Sequence, residues 1–170
     1  YLMQSMVACG NCHTPKGPDG ELPGKELAGG FVIEDVPFTA HVPNITPDKK
    51  TGIGDWSDTD IMTAIRDGRR PDGSIIRPPM PIEFYRKMSD DDVKAIVAYL
   101  RSVPAVENEV PESEYRAPMP ESYGPPVTNV SAPSPDDKLA YGEYLATIAH
   151  CMECHTPLTE NGHLDLENQL

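Results

Sequence analysis

Two short runs carry the side chains most able to do chemistry: Cys9-Gly10-Asn11-Cys12-His13 and Cys151-Met152-Glu153-Cys154-His155. A Cys-x-x-Cys-His run is the attachment signature of a c-type haem. Two thiols three residues apart at a helix end reach the two vinyl groups of one porphyrin. The histidine next to them then lies under the iron as proximal ligand. Cys9, Cys12, Cys151 and Cys154 are therefore the candidate attachment residues, His13 and His155 the candidate iron ligands, and two covalent haems the implied cofactors. Other chemistries of paired cysteines fit less well. A thiol–disulfide catalyst belongs near a βαβ pattern, and none is present. A zinc site would bring its two pairs within about 15–20 residues. Structural disulfides would not require a histidine in the same place twice.

The two runs belong to an internal repeat. Thr14-Pro15 matches Thr156-Pro157, Gly20 matches Gly162 and Leu22 matches Leu164, all at a constant offset of 142 residues. That period is far too long for a solenoid and reads as two copies of one domain. Each copy needs a helix to deliver its cysteines. Leu2, Met6, Val7 and Cys9 share one face of a helix expected from Tyr1 to about Cys12. Tyr141, Tyr144, Leu145 and Ile148 do the same before Cys151, with Ser134-Pro135-Asp136-Asp137 reading as N-cap, N1 proline and acidic first turn. Two further helices belong to the first copy. One starts at the capping-box-like Ser57-Asp58-Thr59-Asp60, buries Ile61, Ala64 and Ile65, and stops at Gly68. The other starts at Ser89 behind three aspartates, buries Val93, Ile96, Val97 and Leu100, and ends before Pro104, with Met88 and Val93 placed as a hydrophobic staple.

Residues 14–56 are rich in proline and glycine and show no sustained periodicity. Ordering so long a loop costs about 1–2 kcal/mol per residue in backbone entropy, which calls for a large apolar body inside it. Proline interrupts the chain again between about Pro104 and Pro133, giving an extended, semi-rigid linker. The organisation is thus a domain over 1–105, a linker over 106–133, and the start of a second, incomplete domain over 134–170.

The iron's sixth ligand decides between electron transfer and substrate chemistry. Pro78-Pro79-Met80-Pro81 holds a thioether in a segment that cannot be regular helix, which makes Met80 the candidate. Met62 and Met88 fit core positions better. The second copy has only 15 residues after His155, against the 67 that separate His13 from Met80, and no methionine follows it. Met119, in Ala117-Pro118-Met119-Pro120, is a weaker upstream candidate. The simplest account is a chain that is a fragment of a longer protein.

The order Cys-x-x-Cys-His, Gly29-Gly30, Asn44-Ile45-Thr46-Pro47-Asp48, Thr51-Gly52-Ile53-Gly54-Asp55-Trp56-Ser57, Pro79-Met80-Pro81 and Ala98-Tyr99-Leu100-Arg101 resembles class I cytochrome c domains. In particular it is similar to the multi-haem cytochrome c subunits that accompany membrane-bound quinoprotein dehydrogenases. The likeness covers nearly all of 1–105 and restarts at about 136. It implies an all-α fold, with a small helical domain wrapped round each haem. It also implies Met80 as axial ligand and Trp56 beside the haem, and Asn44 joins them as a cofactor-binding candidate. Trp56 also stands one residue before an N-cap, where it could simply anchor a helix. Arg77 is a possible propionate partner, though a solvated arginine is commoner. His41, His150 and His163 read as solvated or locally bonded, and Tyr99 as packed on the first helix.

Charge narrows the function further. Asp and Glu number 27 against 14 Lys and Arg, a net charge of −13, which argues against a nucleic-acid binder. No run reaches the ~20 apolar residues of a membrane span, so membrane association would come through a partner or an anchor elsewhere. The expectation is a diheme electron carrier or electron-transfer subunit, not an enzyme with its own substrate. Its redox partners would be a dehydrogenase subunit or a terminal oxidase or other respiratory complex, presenting a basic docking face. Its place would be the periplasm or the periplasmic face of the inner membrane. A diheme peroxidase-like enzyme with one open haem is the alternative, and a structural module using haem only to fill its core is a third.

Overall fold

A computed structural model describes residues 1–157, 159, 165 and 168. Its helices are α1 (Gly10–His13), α2 (Asp58–Asp67), α3 (Ile82–Tyr85), α4 (Asp90–Ser102), α5 (Lys138–Ile148) and α6 (Cys151–His155), preceded by a π-helical turn at Leu2–Met6. The fold is not all-α. Strands β1 (Lys16–Gly17) and β2 (Gly20–Glu21) form a small antiparallel hairpin. Strands β3 (Val32–Asp35), β4 (Phe38–His41) and β5 (Glu114–Tyr115) form an antiparallel sheet in the order β3-β4-β5. β1 to β4 occupy the loop region that the sequence left without periodicity, and β5 lies in the linker. At two to four residues they are too short to show an alternation of their own.

The capping signals work as read. Ser57 and Asp60 satisfy each other's main-chain amides at the start of α2, and Gly68 ends that helix in the left-handed conformation at φ 63°. Ser89 Oγ accepts from Asp92 N at 3.1 Å to start α4. Met88 and Val93 are both fully buried there as the staple requires. α5 starts later than expected. Ser134 O closes a turn by accepting from Asp137 N, and the Asp137 carboxylate caps the helix by accepting from Ala140 N. An acidic side chain one helical turn downstream therefore wins over the serine.

The first helix is also broken. Between Leu2–Met6 and α1, Ala8 adopts φ 49°, a left-handed conformation that a side chain disfavours. His150 does the same at φ 44° between α5 and α6. Ala8 and His150 are 142 residues apart, so the repeat extends to a backbone kink directly before each first cysteine.

The core is shared between the two copies. Met3, Val7, Ile61, Tyr85, Met88 and the inner face of α4 form one apolar cluster with Tyr144 and Ile148 of α5. Tyr144 Oη accepts from Ser89 N at 3.0 Å and donates to Asp92, fixing α5 to the start of α4. Residues 106–133 run extended along the first copy rather than free of it. Val127 N donates to Asp67 Oδ1, Arg86 donates to Pro125 O, and Asp90 N donates to Val130 O. The linker is a strap.

Candidate functional site

Cys9 is the N-cap of α1 and Cys12 lies within it, directly after the left-handed Ala8. All four cysteines are unpaired. Burial pushes the Cys9 thiol up to about 12, and burial likewise raises Cys12. A thiol–disulfide catalyst needs the opposite shift, because the thiolate is its nucleophile. Among the described residues no three Cys, His, Asp or Glu side chains converge as a metal site of their own.

His13 is buried, and its Nδ1 donates to Pro43 O at 2.8 Å. Burial lowers its pKa, keeping the imidazole neutral. With the proton on Nδ1, the Nε2 lone pair is left for a metal, and the carbonyl sets the ring's orientation. Pro43 is itself held from behind. Gly29, at φ +74°, comes so near that a Cβ there would sit 2.5 Å from Pro43 C and from Asn44 N. Only glycine can make that approach. Gly29 N also donates to His13 O at 2.7 Å, so one residue supports both partners.

Asn44 follows Pro43 and is buried at 3% exposure. Its Nδ2 donates to Thr51 Oγ1 at 3.0 Å and to Val106 O at 2.7 Å. Its Oδ1 accepts from Thr46 N at 2.9 Å and Thr46 Oγ1 at 2.8 Å. The amide's bonding capacity is thus taken up within the protein, where it ties the loop after Pro43 to the strap. Trp56 is half-buried against the core, and its carbonyl accepts from the Arg101 guanidinium. Met80 packs on the same cluster with Ile45, Met62 and Ile65. These half-buried apolar side chains come from α2 and from the loops that carry Ile45 and Met80. Two thiols one turn apart and a neutral imidazole are the donor set that would hold a covalently attached haem.

The second copy presents the same donors in a different setting. Cys151, Cys154 and His155 lie on α6 and are exposed. Thr14 is buried and its Oγ1 accepts from Leu27 N at 3.1 Å, whereas the equivalent Thr156 Oγ1 is buried without a partner among the described residues. The position equivalent to Leu27 falls at 169, outside the described residues, as does His163. His150 is locally bonded as expected, with Nδ1 2.9 Å from Glu153 Oε2 and its ring edge-on to Tyr85 at 6.0 Å. Arg77 stacks on Tyr115, Tyr99 meets the first helical segment by accepting from Gln4 Nε2 at 3.2 Å, and Met119 is half-buried in the strap.

Several supports went unread in the sequence. Pro43 acts through its carbonyl, which no side-chain pattern reports. Thr14 could have been found, since Thr156 repeats it. Tyr115 stands in the linker and had no motif to mark it.

Residues 4–104 match the cytochrome c family. The chain belongs to the cytochrome c family. It is 35% identical over 161 residues to the cytochrome c subunit of the quinone alcohol dehydrogenase of Gluconobacter oxydans, a match covering 88% of this chain and 32% of that protein. It is 36% identical over 161 residues to the gluconate 2-dehydrogenase cytochrome c subunit of Pantoea cypripedii, covering 88% of this chain and 35% of the relative. A diheme cytochrome c-type protein of Cereibacter sphaeroides is 29% identical over 160 residues, covering 88% of this chain and 53% of its own length. The chain spans about a third of the length of the two dehydrogenase subunits.

Proposed function

We propose that this chain transfers electrons as a diheme c-type cytochrome, one haem attached at Cys9 and Cys12 and a second at Cys151 and Cys154. The observation that carries the reading is the buried His13, held neutral with Nδ1 committed to Pro43 O, directly beside two thiols on one helical turn. When bound, each haem supplies a one-electron couple between ferric and ferrous iron. The chain's own residues set its surroundings. His13 and Met80 would occupy the axial positions, an arrangement that saturates the iron and suits electron transfer over substrate binding. Gly29 and Pro43 orient His13, and Asn44 ties the loop after Pro43 to the strap. The apolar side chains of α2 and the Ile45 loop lower the local dielectric.

Similarity to dehydrogenase cytochrome c subunits supports a dehydrogenase as electron donor, with a further respiratory protein as acceptor. The net charge of −13 favours partners with a basic docking face and an association that weakens with salt. Covalent haem attachment supports a periplasmic location. No helix among the described residues is long and apolar enough to cross a membrane.

Intact mass of the holoprotein tests the stoichiometry, with two haems expected and the second lost in Cys151→Ala/Cys154→Ala. Low-spin reduced haem at the first site that does not bind carbon monoxide supports the carrier. Peroxide turnover in the full-length protein would overturn it.

A further inference from the structure

Met80 lies in Arg77-Pro78-Pro79-Met80-Pro81, a stretch that the backbone can barely tie down. Three of its five residues are prolines with no N–H to donate. The flanks are fixed, because Ile76 N donates to Gly68 O at 2.7 Å and the fully buried Ile82 donates its N–H to Met80 O at 2.8 Å. Between those points the loop must be held through its carbonyls and side chains.

One strap residue supplies both. Tyr115 Oη donates to Pro78 O at 3.1 Å, and the Arg77 guanidinium sits over the Tyr115 ring, 5.1 Å from its centroid. Tyr115 is in turn pinned on all sides. It pairs with Phe38 across β4 and β5, with the two rings 6.0 Å apart. Arg116 N donates to Pro37 O at 2.8 Å, and Ser113 Oγ accepts from His41 N at 2.9 Å. A hydroxyl on a rigid strand therefore meets the one kind of group that a proline-rich loop can offer.

We propose that Tyr115 is the positioning residue for Met80: the strap between the two haem units, through the Tyr115–Pro78 hydrogen bond and the Arg77 stack, holds the thioether on the first haem's iron. This rests on the reading of Met80 as sixth ligand. The linker is then part of the first redox site, and any force on the strap from the second unit reaches the first haem's axial bond.

The test uses the full holoprotein in its oxidised form, titrated with imidazole as a competing ligand. The readout is the long-wavelength charge-transfer band of a methionine–ferric-iron bond. Removing one such hydrogen bond shifts a local equilibrium about fivefold. Tyr115→Phe should therefore bleach the band at an imidazole concentration about fivefold lower than wild type. Arg77→Gln, a surface change, should shift it in the same direction. Ser134→Ala removes an exposed hydrogen bond from Asp136 N beyond the end of the strap and should leave the midpoint unchanged. A Tyr115→Phe midpoint equal to wild type overturns the proposal, as does an equal shift in Ser134→Ala. A wild-type protein lacking the band overturns the assignment of Met80 as ligand and the proposal with it.

Discussion

Asn44 is the residue whose loss should cost the first site most without touching a haem-attaching group. Its four side-chain hydrogen bonds end on Thr46 N, Thr46 Oγ1, Thr51 Oγ1 and Val106 O. In Asn44→Ala these partners fare differently. Thr51 Oγ1 still accepts from Asn108 N at 2.9 Å and bonds Asp48 Oδ1 at 2.8 Å. Thr46 Oγ1 still meets Val106 N at 3.2 Å and Val106 O at 3.3 Å. The Thr46 amide, on a residue with no exposure, is left without an acceptor. An orphaned buried amide costs about 1–3 kcal/mol, and each of the three bonds with a surviving alternative about 0.5–1 kcal/mol, for a total of about 2.5–6 kcal/mol. In a chain of this size that lowers the melting temperature by about 5–24 °C. Thermal unfolding of the holoprotein, followed by far-UV circular dichroism, measures it. Asn44→Asp keeps the acceptor for Thr46 but turns a second oxygen on Val106 O, so at neutral pH it should be destabilised despite its shape. Lowering the pH should recover part of the loss as the carboxyl regains a proton to donate. A loss below about 1 kcal/mol in Asn44→Ala would refute the picture of a loop held by this amide.

Gly29→Ala should lose about 2–4 kcal/mol, because its Cβ meets the Pro43 and Asn44 backbone and its φ is left-handed; chemical unfolding measures it, alongside a weakened His13 Nδ1–H hydrogen bond by NMR. Ile148→Ala, in the second unit, should destabilise the first by about 3 kcal/mol, since the fully buried Ile148 belongs to the shared core; unfolding monitored at the first haem would show no change if the units were independent. The Arg66 guanidinium beside Asp90 holds that carboxyl below the usual carboxylate range. A depressed folded pKa gives stability that is present above the unfolded carboxylate pKa and lost as pH falls through the folded one. Melting temperatures of wild type and Asp90→Asn should therefore differ at neutral pH and converge in acid, and a gap undiminished in strong acid would contradict that pairing.

The parts legible in the sequence were those fixed by local chemistry. Ser57 and Ser89 announce helix starts because a hydroxyl and an acid three residues on need nothing distant to pair. The Cys-x-x-Cys-His run is legible for the same reason. Elsewhere the deciding partner lies far along the chain. His13 is oriented by Pro43, Asn44 is bonded to Val106, and Pro78 to Tyr115. The pairing of β5 with β4 could not be read because the partners lie 75 and 77 residues apart, after a stretch that composition marks only as linker. The left-handed Ala8 ran against local preference altogether, although its twin at His150 shows it to be a property of the repeat.

In the proposed diheme carrier, that twin kink bears on how the two centres would be held relative to each other. A carrier with two haems passes an electron internally only if their separation is kept short and constant, and a flexible linker would let it vary. Three attachments remove that freedom here. Tyr144 and Ile148 place α5 in the first unit's core, Tyr144 Oη bonds the start of α4, and the strap is hydrogen-bonded along its length. α6 follows α5 after the single residue pair Ala149-His150, and His150 lies against Tyr85, itself buried in the first unit beside Val7. The second attachment run is thereby fixed on the first unit through packed side chains rather than through the linker's length.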